Sequence, residues 1–187
     1  MHLIPEPTAL RYRIEYDSDP VNPRTEEDNL FTLYFTQNRY VFGDERIREG
    51  HEEDDFVNDS RYLVFDVYAY IHSGVALSVS PFYCPWDSGK IGFAVISRET
   101  IEKELGWKRI TAERLRKLEQ AYLRSELETY TAYLNGEVFG FVVETEDGEE
   151  LDSSWGYYDR DDCEQIARDT LAYFQTKENE RAQQNAA

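Results

Sequence analysis

The chain has few cysteines and no long apolar run, and each shortage excludes a class of protein. Only Cys84 and Cys163 occur among 187 residues, too few for a disulfide-rich secreted scaffold. No apolar stretch approaches the roughly 18–20 residues that a transmembrane helix needs. The opening residues, MHLIPEPTALRYRIEYD, lack the basic and then apolar regions of a secretory signal. These features predict a reduced, cytoplasmic protein with no membrane partner.

The sequence also lacks the signatures of common enzymes and metal sites. It contains no Gly-x-Ser-x-Gly nucleophile motif. It has neither Cys-x-x-Cys nor the paired histidines that zinc sites use. The acidic run at 51–55 does not follow the calcium-loop pattern of alternating acids, a glycine and a distal glutamate. We therefore expect no metal and no cofactor, and the pattern favours a non-catalytic protein without excluding an enzyme.

Basic side chains are scarce relative to acidic ones, and the imbalance is segmental. The chain has 38 acidic and 20 basic residues, a formal charge of −18. Residues 1–59 carry −9 and residues 129–187 carry −10, whereas 60–97 are neutral and 98–128 carry +1. Such a surface repels nucleic acid and membranes and attracts basic partners. Adaptation to high salt is the alternative explanation, favoured by 15 Arg against 5 Lys but opposed by the uneven distribution.

Aromatic residues are abundant, at 14% of the chain, which is typical of a folded protein rather than of an acidic disordered one. Alternating or apolar β-branched and aromatic runs predict strands. These strands are 8–16, 61–71, 75–80, 91–96, 137–145 and 150–158. The run 29–41 fits either a strand or a helix, and its composition favours a strand.

Helical periodicity and capping residues predict three helices. Ser97 caps a helix that ends near Gly106, Thr111 caps a longer one that ends near Leu134, and a last helix covers 161–174. The fold class is therefore α+β, with an antiparallel sheet on which the long helix and the C-terminal helix pack. We expect one domain over residues 1–176 and a polar, disordered tail over 177–187.

The acidic hairpin around Asp147-Gly148 is the main candidate for a binding surface. This dipeptide predicts a two-residue type I′ turn that places Glu146 opposite Glu149. Like charges in that position cost stability, and carboxylates at alternate strand positions lie roughly 6.6 Å apart, so they can imitate a phosphate backbone. The predicted partner-binding residues are Glu144, Glu146, Asp147, Glu149, Glu150 and Asp152, with Glu52, Glu53, Asp54 and Asp55 as a second patch.

A second candidate site surrounds the segment Cys84-Pro-Trp-Asp-Ser-Gly89. His72, Asp87 and Ser88, with Trp86 beside them, could form a nucleophilic or ligand-binding group. The structural alternative is that the prolines and glycine shape a tight connection, Asp87 caps its own backbone and Trp86 packs in the core.

Two groups of short motifs resemble blocks of one protein family. The first group is Asn22-Pro-Arg24, Asp28-Asn-Leu30, Arg39-Tyr40 and Gly43-Asp-Glu45, an NPR…DNL…RY.xGDE pattern. The second is His72-Ser-Gly, Ser80-Pro-Phe, Cys84-Pro-Trp-Asp-Ser-Gly, Gly92-Phe, Leu134-Asn-Gly-Glu-Val-Phe-Gly140 and Trp155-Gly-Tyr. The chain departs from this pattern near position 31, where Phe stands in place of Gly. The family consists of small proteins found mostly in bacteriophages and mobile elements. The resemblance implies a phage-type accessory protein expressed in a bacterial cytoplasm, and it implies no activity.

Acidity, size and phage-type context together predict an inhibitor of a host defence nucleoprotein, of the anti-CRISPR or anti-restriction kind. Fixed carboxylates would occupy a basic DNA- or RNA-binding groove by mimicking nucleic acid, so the partner is a basic protein and not nucleic acid itself. The alternatives are a small enzyme or ligand-binding module at His72 and Asp87, or a non-catalytic protein that dimerises through its aromatic sheet.

Overall fold

The structure is a computed structural model, and it describes residues 9–26, 28–36, 42–46 and 53–186. Within these residues the strands are β1 Leu10–Tyr16, β2 Thr32–Phe35, β3 Glu45–Arg46, β4 Tyr62–Ile71, β5 Val75–Ser78, β6 Ser88–Ser97, β7 Phe139–Thr145 and β8 Glu150–Tyr157. The α-helices are α1 Pro23–Glu26, α2 Glu53–Val57, α3 Arg98–Leu105, α4 Ala112–Lys117, α5 Arg124–Leu134 and α6 Arg160–Ala186. A π-helical segment, Leu118–Leu123, joins α4 to α5.

The described chain forms two compact units. The terminal unit contains the described parts of 1–21 and 136–187, and the central unit contains those of 22–135. The strands accordingly form two sheets, where the sequence predicted one: β1-β7-β8 in the terminal unit and β3-β2-β6-β4-β5 in the central unit. All pairings are antiparallel except the short parallel contact between β2 and β3. The expected single-domain organisation of residues 1–176 stays a prediction.

The central sheet buries one face against the helices that follow it. Alternate residues of β4, such as Phe65, Val67 and Ala69, point into this core, as the period of two requires. The hydroxyl of Ser97 accepts a hydrogen bond from the Thr100 amide at 2.9 Å, which confirms the predicted N-cap of α3.

The long helix predicted over 111–134 contains a wide turn that its sequence did not reveal. Leu118 and Leu123 are five residues apart and both fully buried, a spacing that a regular α-helix cannot keep on one face. The π-helical segment restores the alignment, so that Leu127 and Tyr130 continue the buried face. Leu115, which precedes the π-helical segment, is 40% exposed.

In the terminal unit, α6 packs on one face of the β1-β7-β8 sheet. Phe141 and Val143 of β7 form a core with Cys163 and Ala167 of α6. The Tyr12 hydroxyl donates to Glu164 at 3.1 Å, which ties β1 to the helix.

The α+β class is confirmed, with the long C-terminal helix packed on a sheet. That helix continues to Ala186, past its predicted end at Phe174. The segment 177–187, predicted to be a disordered tail, is thus helical as far as it is described. In the described part of the chain, no helix combines the length and apolar character needed to cross a membrane.

Candidate functional site

The acidic hairpin has a different turn from the predicted one. The Gly148 amide donates to the Thr145 carbonyl at 2.9 Å, and the Thr145 amide donates to the Glu149 carbonyl at 2.9 Å. Gly148 has φ of +87° and no other residue of the turn has a positive φ, so this is a three-residue loop closed by a glycine bulge and not a type I′ turn. The predicted pairing of Glu146 with Glu149 is therefore wrong, and Glu144 pairs with Glu150 instead.

Five of the six carboxylates predicted at this hairpin lie in solvent. They are Glu146, Asp147, Glu149, Glu150 and Asp152, and we call them the acidic turn. Glu150 accepts a hydrogen bond from the Ser153 hydroxyl at 2.7 Å, and Asp152 accepts one from the Ser153 amide at 2.9 Å. Among the described residues, none of the five forms a salt bridge. The acidic turn therefore presents uncompensated negative charge.

Glu144, the sixth predicted residue, is not part of this exposed set. The residue is only 7% exposed, and its carboxylate receives Arg11 Nε at 2.9 Å and Arg13 Nε at 3.3 Å. Desolvation opposes ionisation of this carboxyl, but the hydrogen bonds and charges of Arg13 and Arg11 outweigh it and lower the pKa of Glu144. Its charge is thus neutralised within the sheet, because β1 places two arginines beside β7.

The second predicted acidic patch is partly engaged in the central unit. Glu53 receives Lys90 Nζ at 2.7 Å, and the same ammonium lies 2.6 Å from Asp66. Asp54 and Asp55 are exposed on α2. Glu52 lies outside the described residues, as does the Arg39-Tyr40 motif. This patch therefore presents less free charge than the acidic turn.

His72 and Asp87, of the alternative site, are neighbours in the structure. His72 Nδ1 lies 3.4 Å from Asp87 Oδ2, and both side chains are largely solvent-exposed. The Ser88 hydroxyl donates to the Cys84 carbonyl rather than to the histidine. His72 in the turn after β4 and Asp87 in the loop before β6 thus come together, but the Ser88 hydroxyl bonds to a carbonyl and not to the base that a nucleophile requires.

Trp86 does not pack in the core, which corrects the structural alternative for this segment. Its side chain is 90% exposed, and Tyr83 is fully exposed on the same loop. The loop itself is held in place by the hydrogen bond of Ser88 and by the Ile71 amide, which donates to the Asp87 carbonyl at 2.8 Å.

A buried arginine network is the main feature that sequence reasoning missed. The Arg24 side chain is 2% exposed. Its Nε and Nη2 bind the carboxylate of Asp44 at 2.7 and 2.5 Å. Its Nη1 donates to Glu126 at 2.7 Å and to Asn29 at 2.6 Å, and Nη2 also donates to the Phe31 carbonyl at 2.6 Å. A guanidinium has five N–H groups, so every donor of Arg24 is used.

The network shifts the titration of its members in unequal ways. Burial would lower the pKa of Arg24, but the bonds and charges of Asp44 and Glu126 outweigh it and raise that pKa. Desolvation raises the pKa of Glu126, in spite of its bonds to Arg24 and to the Leu30 amide. Both pKa values are thus raised, but with opposite effects on charge: the charged form of Arg24 is favoured because it contacts two carboxylates, whereas the charged form of Glu126 is disfavoured because burial outweighs its bonds.

Several of the motifs that resemble the phage family have structural roles in the central unit. Asn22 caps α1 by accepting from the Arg24 amide at 2.9 Å. The Asn135 side chain makes two 2.8 Å hydrogen bonds to the backbone of Val75 in β5. Gly92 lets β2 approach, since a Cβ there would lie 2.0 Å from the Tyr34 carbonyl oxygen. The NPR, DNL and GDE blocks supply Arg24, Asn29 and Asp44 of the buried network, and the presence of these blocks was the signal available in the sequence.

A groove of about 730 Å³ lies beside this network. Its wall includes two basic side chains, Arg24 and Lys103. Arg24 is saturated, and Lys103 Nζ lies 2.6 Å from Glu104. The groove thus offers an incoming anion no unpaired cation from these two residues.

The described residues contain no group of three or more His, Cys, Asp or Glu side chains that could hold a metal ion. Comparison with protein-family models, with curated proteins and with solved structures finds no match to this chain. Resemblance to the phage family therefore stays a prediction that rests on the motifs, and the candidate site rests on its own geometry.

Proposed function

We propose that this protein is a phage-type inhibitor that occupies the basic nucleic-acid-binding groove of a bacterial defence nucleoprotein. The observation that carries the proposal is the acidic turn, whose five exposed carboxylates have no salt-bridge partner among the described residues. The residues proposed to bind are Glu146, Asp147, Glu149, Glu150 and Asp152. Glu144 supports them from within the sheet and does not itself contact the partner.

The charge distribution agrees with this assignment. Residues 1–21 and 136–187, which make up the terminal unit, contain 18 acidic and 6 basic side chains, a net charge of −12. Residues 22–135 contain 20 acidic and 14 basic ones, a net charge of −6. A basic groove would be steered towards the terminal unit over distances up to the Debye length, about 10 Å at 0.1 M salt.

The turn is also well held, which favours recognition by rigid charges. Glu144 anchors β7 to Arg11 and Arg13 of β1, and the Thr145 hydroxyl accepts from the Glu149 amide at 3.0 Å. A preorganised array loses less conformational entropy on binding than a mobile loop of the same charge. The mimicry would therefore depend on both the exposed carboxylates and their buried support.

The test is phage plating on bacterial strains that each carry one DNA-targeting CRISPR or restriction system and express this protein. We expect the wild type to restore plating on at least one strain by more than tenfold. The triple variant Glu146→Lys, Asp147→Lys, Glu149→Lys should lose this protection of the phage against the defence system. The matched control Asp162→Lys, Asp169→Lys, Glu180→Lys makes the same change of charge on exposed positions of α6 and should keep it.

Folding of both variants is checked by circular dichroism and urea unfolding. Protection that persists in a folded turn variant would exclude the acidic turn as the binding surface. Equal loss in both variants would show that net charge alone matters, and this would contradict mimicry by a defined surface.

A further inference from the structure

A basic patch stands out against the acidity of the chain. Residues 106–118 contain five basic side chains and one acidic one, a net charge of +4 in a protein of −18. The five are Lys108, Arg109, Arg114, Arg116 and Lys117, and four of them are exposed while Arg114 is half-buried. They lie on the loop after α3 and on α4, within the central unit.

The Trp107 ring contacts two of these cations. Arg114 Cζ lies 5.1 Å and Lys117 Nζ 5.9 Å from the centre of its ring. Arg114 Nη1 also donates to the Arg109 carbonyl at 2.9 Å, which fixes the loop against the helix. Cation–π contact stabilises a charge near the face of an aromatic ring, so the Trp107 ring holds two like charges close together.

Carboxylates do not neutralise the patch. Among the described residues, Arg109, Arg114, Arg116 and Lys117 have no carboxylate within salt-bridge distance, and Lys108 lies 4.0 Å from Glu102. In the same unit, by contrast, Lys90, Lys103 and Arg124 each have a carboxylate partner. In a chain with almost twice as many acids as bases, a cluster of unpaired cations is unexpected for a merely solvated surface.

We propose that this patch binds the phosphodiester backbone of a nucleic acid. Three of the five residues are arginines, whose planar guanidinium groups bind phosphate in a bidentate manner. The expectation that the chain avoids nucleic acid followed from its net charge, which averages over the patch. At 0.1 M salt, charges more than about 10 Å away are largely screened, so contact is governed by the patch cations and the acids beside them, such as Glu102 next to Lys108.

A second copy of this chain is the competing occupant, because its acidic turn is complementary in charge. Such contact would join unlike surfaces and would propagate into chains or rings. It would also bury the acidic turn that the proposed function requires. A phosphate backbone needs no such closure, and the observations favour it.

Binding should be independent of base sequence. Trp107 is the aromatic residue at the centre of the patch, and its ring is already contacted by Arg114, Lys117 and the edge of Tyr122, 6.1 Å between centroids. It is therefore not available to stack on a base, and phosphate contacts carry no sequence information. The nucleic acid of a nucleoprotein target or a free strand would satisfy the patch equally well.

The experiment measures fluorescence anisotropy of labelled 20-nucleotide DNA and RNA, single-stranded and duplex, with the full-length protein between 20 and 200 mM salt. The variant Arg109→Glu, Arg116→Glu reverses two exposed cations of the patch. The control Arg160→Glu, Arg181→Glu reverses two exposed arginines of α6 and gives the same net charge. Sedimentation velocity of the protein alone measures self-association.

We expect salt-dependent binding that is equal for two unrelated sequences. The patch variant should lose at least tenfold in affinity, and its log–log salt slope on duplex DNA should fall by about 1.8, since each phosphate contact contributes about 0.9. The control should stay within twofold of the wild type.

No binding at 20 mM salt, or equal loss in both variants, would overturn the proposal. Self-association that only the patch variant abolishes, without oligonucleotide binding, would assign the patch to a second copy. Loss of phage protection in the acidic-turn variant with oligonucleotide binding intact would separate the two proposals.

Discussion

Arg24 and the acidic turn handle charge in opposite ways. Arg24 is buried and its five N–H groups all have acceptors. The acidic turn exposes five carboxylates that have no cation beside them in the described structure. Polar groups whose hydrogen bonds are all made within the protein stabilise the fold, but they have no donor or acceptor left for a partner. Comparison of the two regions thus separates residues that hold the molecule together from residues that are free to bind.

The largest expected effect comes from removing the cation of the saturated region. Arg24→Met keeps an apolar stem but leaves Asp44 and Glu126 facing each other without a counter-charge. Breaking a buried ion pair in this way costs about 3–5 kcal/mol. The midpoint of urea unfolding should fall accordingly, and any restoration of phage plating by the variant should follow its folded fraction.

Arg124→Met is the matched control, because Arg124 pairs with Glu128 at 2.8 Å on the exposed face of α5. An exposed i,i+4 pair contributes about 0.3–0.5 kcal/mol. A similar small loss in Arg24→Met would mean that the buried network does not support the fold.

Two glycines of β6 allow a similar comparison between a buried position and an exposed one. Gly92→Ala places a Cβ about 2.0 Å from a backbone oxygen of β2 that cannot rotate away, whereas Gly89→Ala meets no atom within 4 Å. Overpacking typically costs 1–3 kcal/mol, while a free glycine can even gain stability on substitution. Thermal unfolding of the two variants should therefore differ, and equal melting temperatures would contradict the close strand contact.

Acid titration tests Glu144, which belongs to the same hairpin as the acidic turn but is buried and paired, as Arg24 is. Its pKa is lowered in the folded state, so its contribution to stability is present above the ordinary value of 4.5 and is lost as the pH falls through the lowered pKa. Glu144→Gln should therefore weaken the fold at pH 7 and flatten the acid limb of stability against pH. Glu150→Gln, at an exposed position of the same hairpin, is the control and should cost less stability at pH 7 than Glu144→Gln. An unchanged acid limb in Glu144→Gln would mean that the two arginines do not hold this carboxylate.

The sequence predicted the class of most elements because their signals are local. Strand alternation in β4 and the Ser97 cap depend on neighbouring residues, and both are confirmed. The π-helical segment was missed because its cause is the burial of both Leu118 and Leu123, which depends on tertiary packing. The role of Glu126 was missed for the same reason, since its partner Arg24 is distant in sequence.

Of the hairpin acids predicted to bind a partner, all but Glu144 are exposed, and their role in binding stays a prediction. Their exposure follows from the turn signal, which sequence carries, whereas the fate of Glu144 depends on which strand lies beside β7. β1 and β7 pair although they are far apart in the sequence, so no local sequence pattern predicts this pairing. The geometry of the turn was wrong because Asp147-Gly148 fits both a two-residue loop and a three-residue loop with a glycine bulge.

The smallest expected effect on stability is at Trp86, an apolar residue whose side chain is exposed. Its ring is 90% exposed, so Trp86→Ala removes little buried surface and should change the free energy of unfolding by less than about 0.5 kcal/mol. Trp155→Ala is the matched control, because the Trp155 ring lies against Gly140, where a Cβ would be 2.2 Å from it. That substitution should cost more, since the ring covers part of β7. If Trp86→Ala proved as destabilising as Trp155→Ala in urea unfolding, its loop would belong with Arg24 among the structural elements. Loss of phage protection in a fully stable Trp86→Ala would instead assign Trp86 a binding role of its own, since aromatic residues often dominate the affinity of protein interfaces.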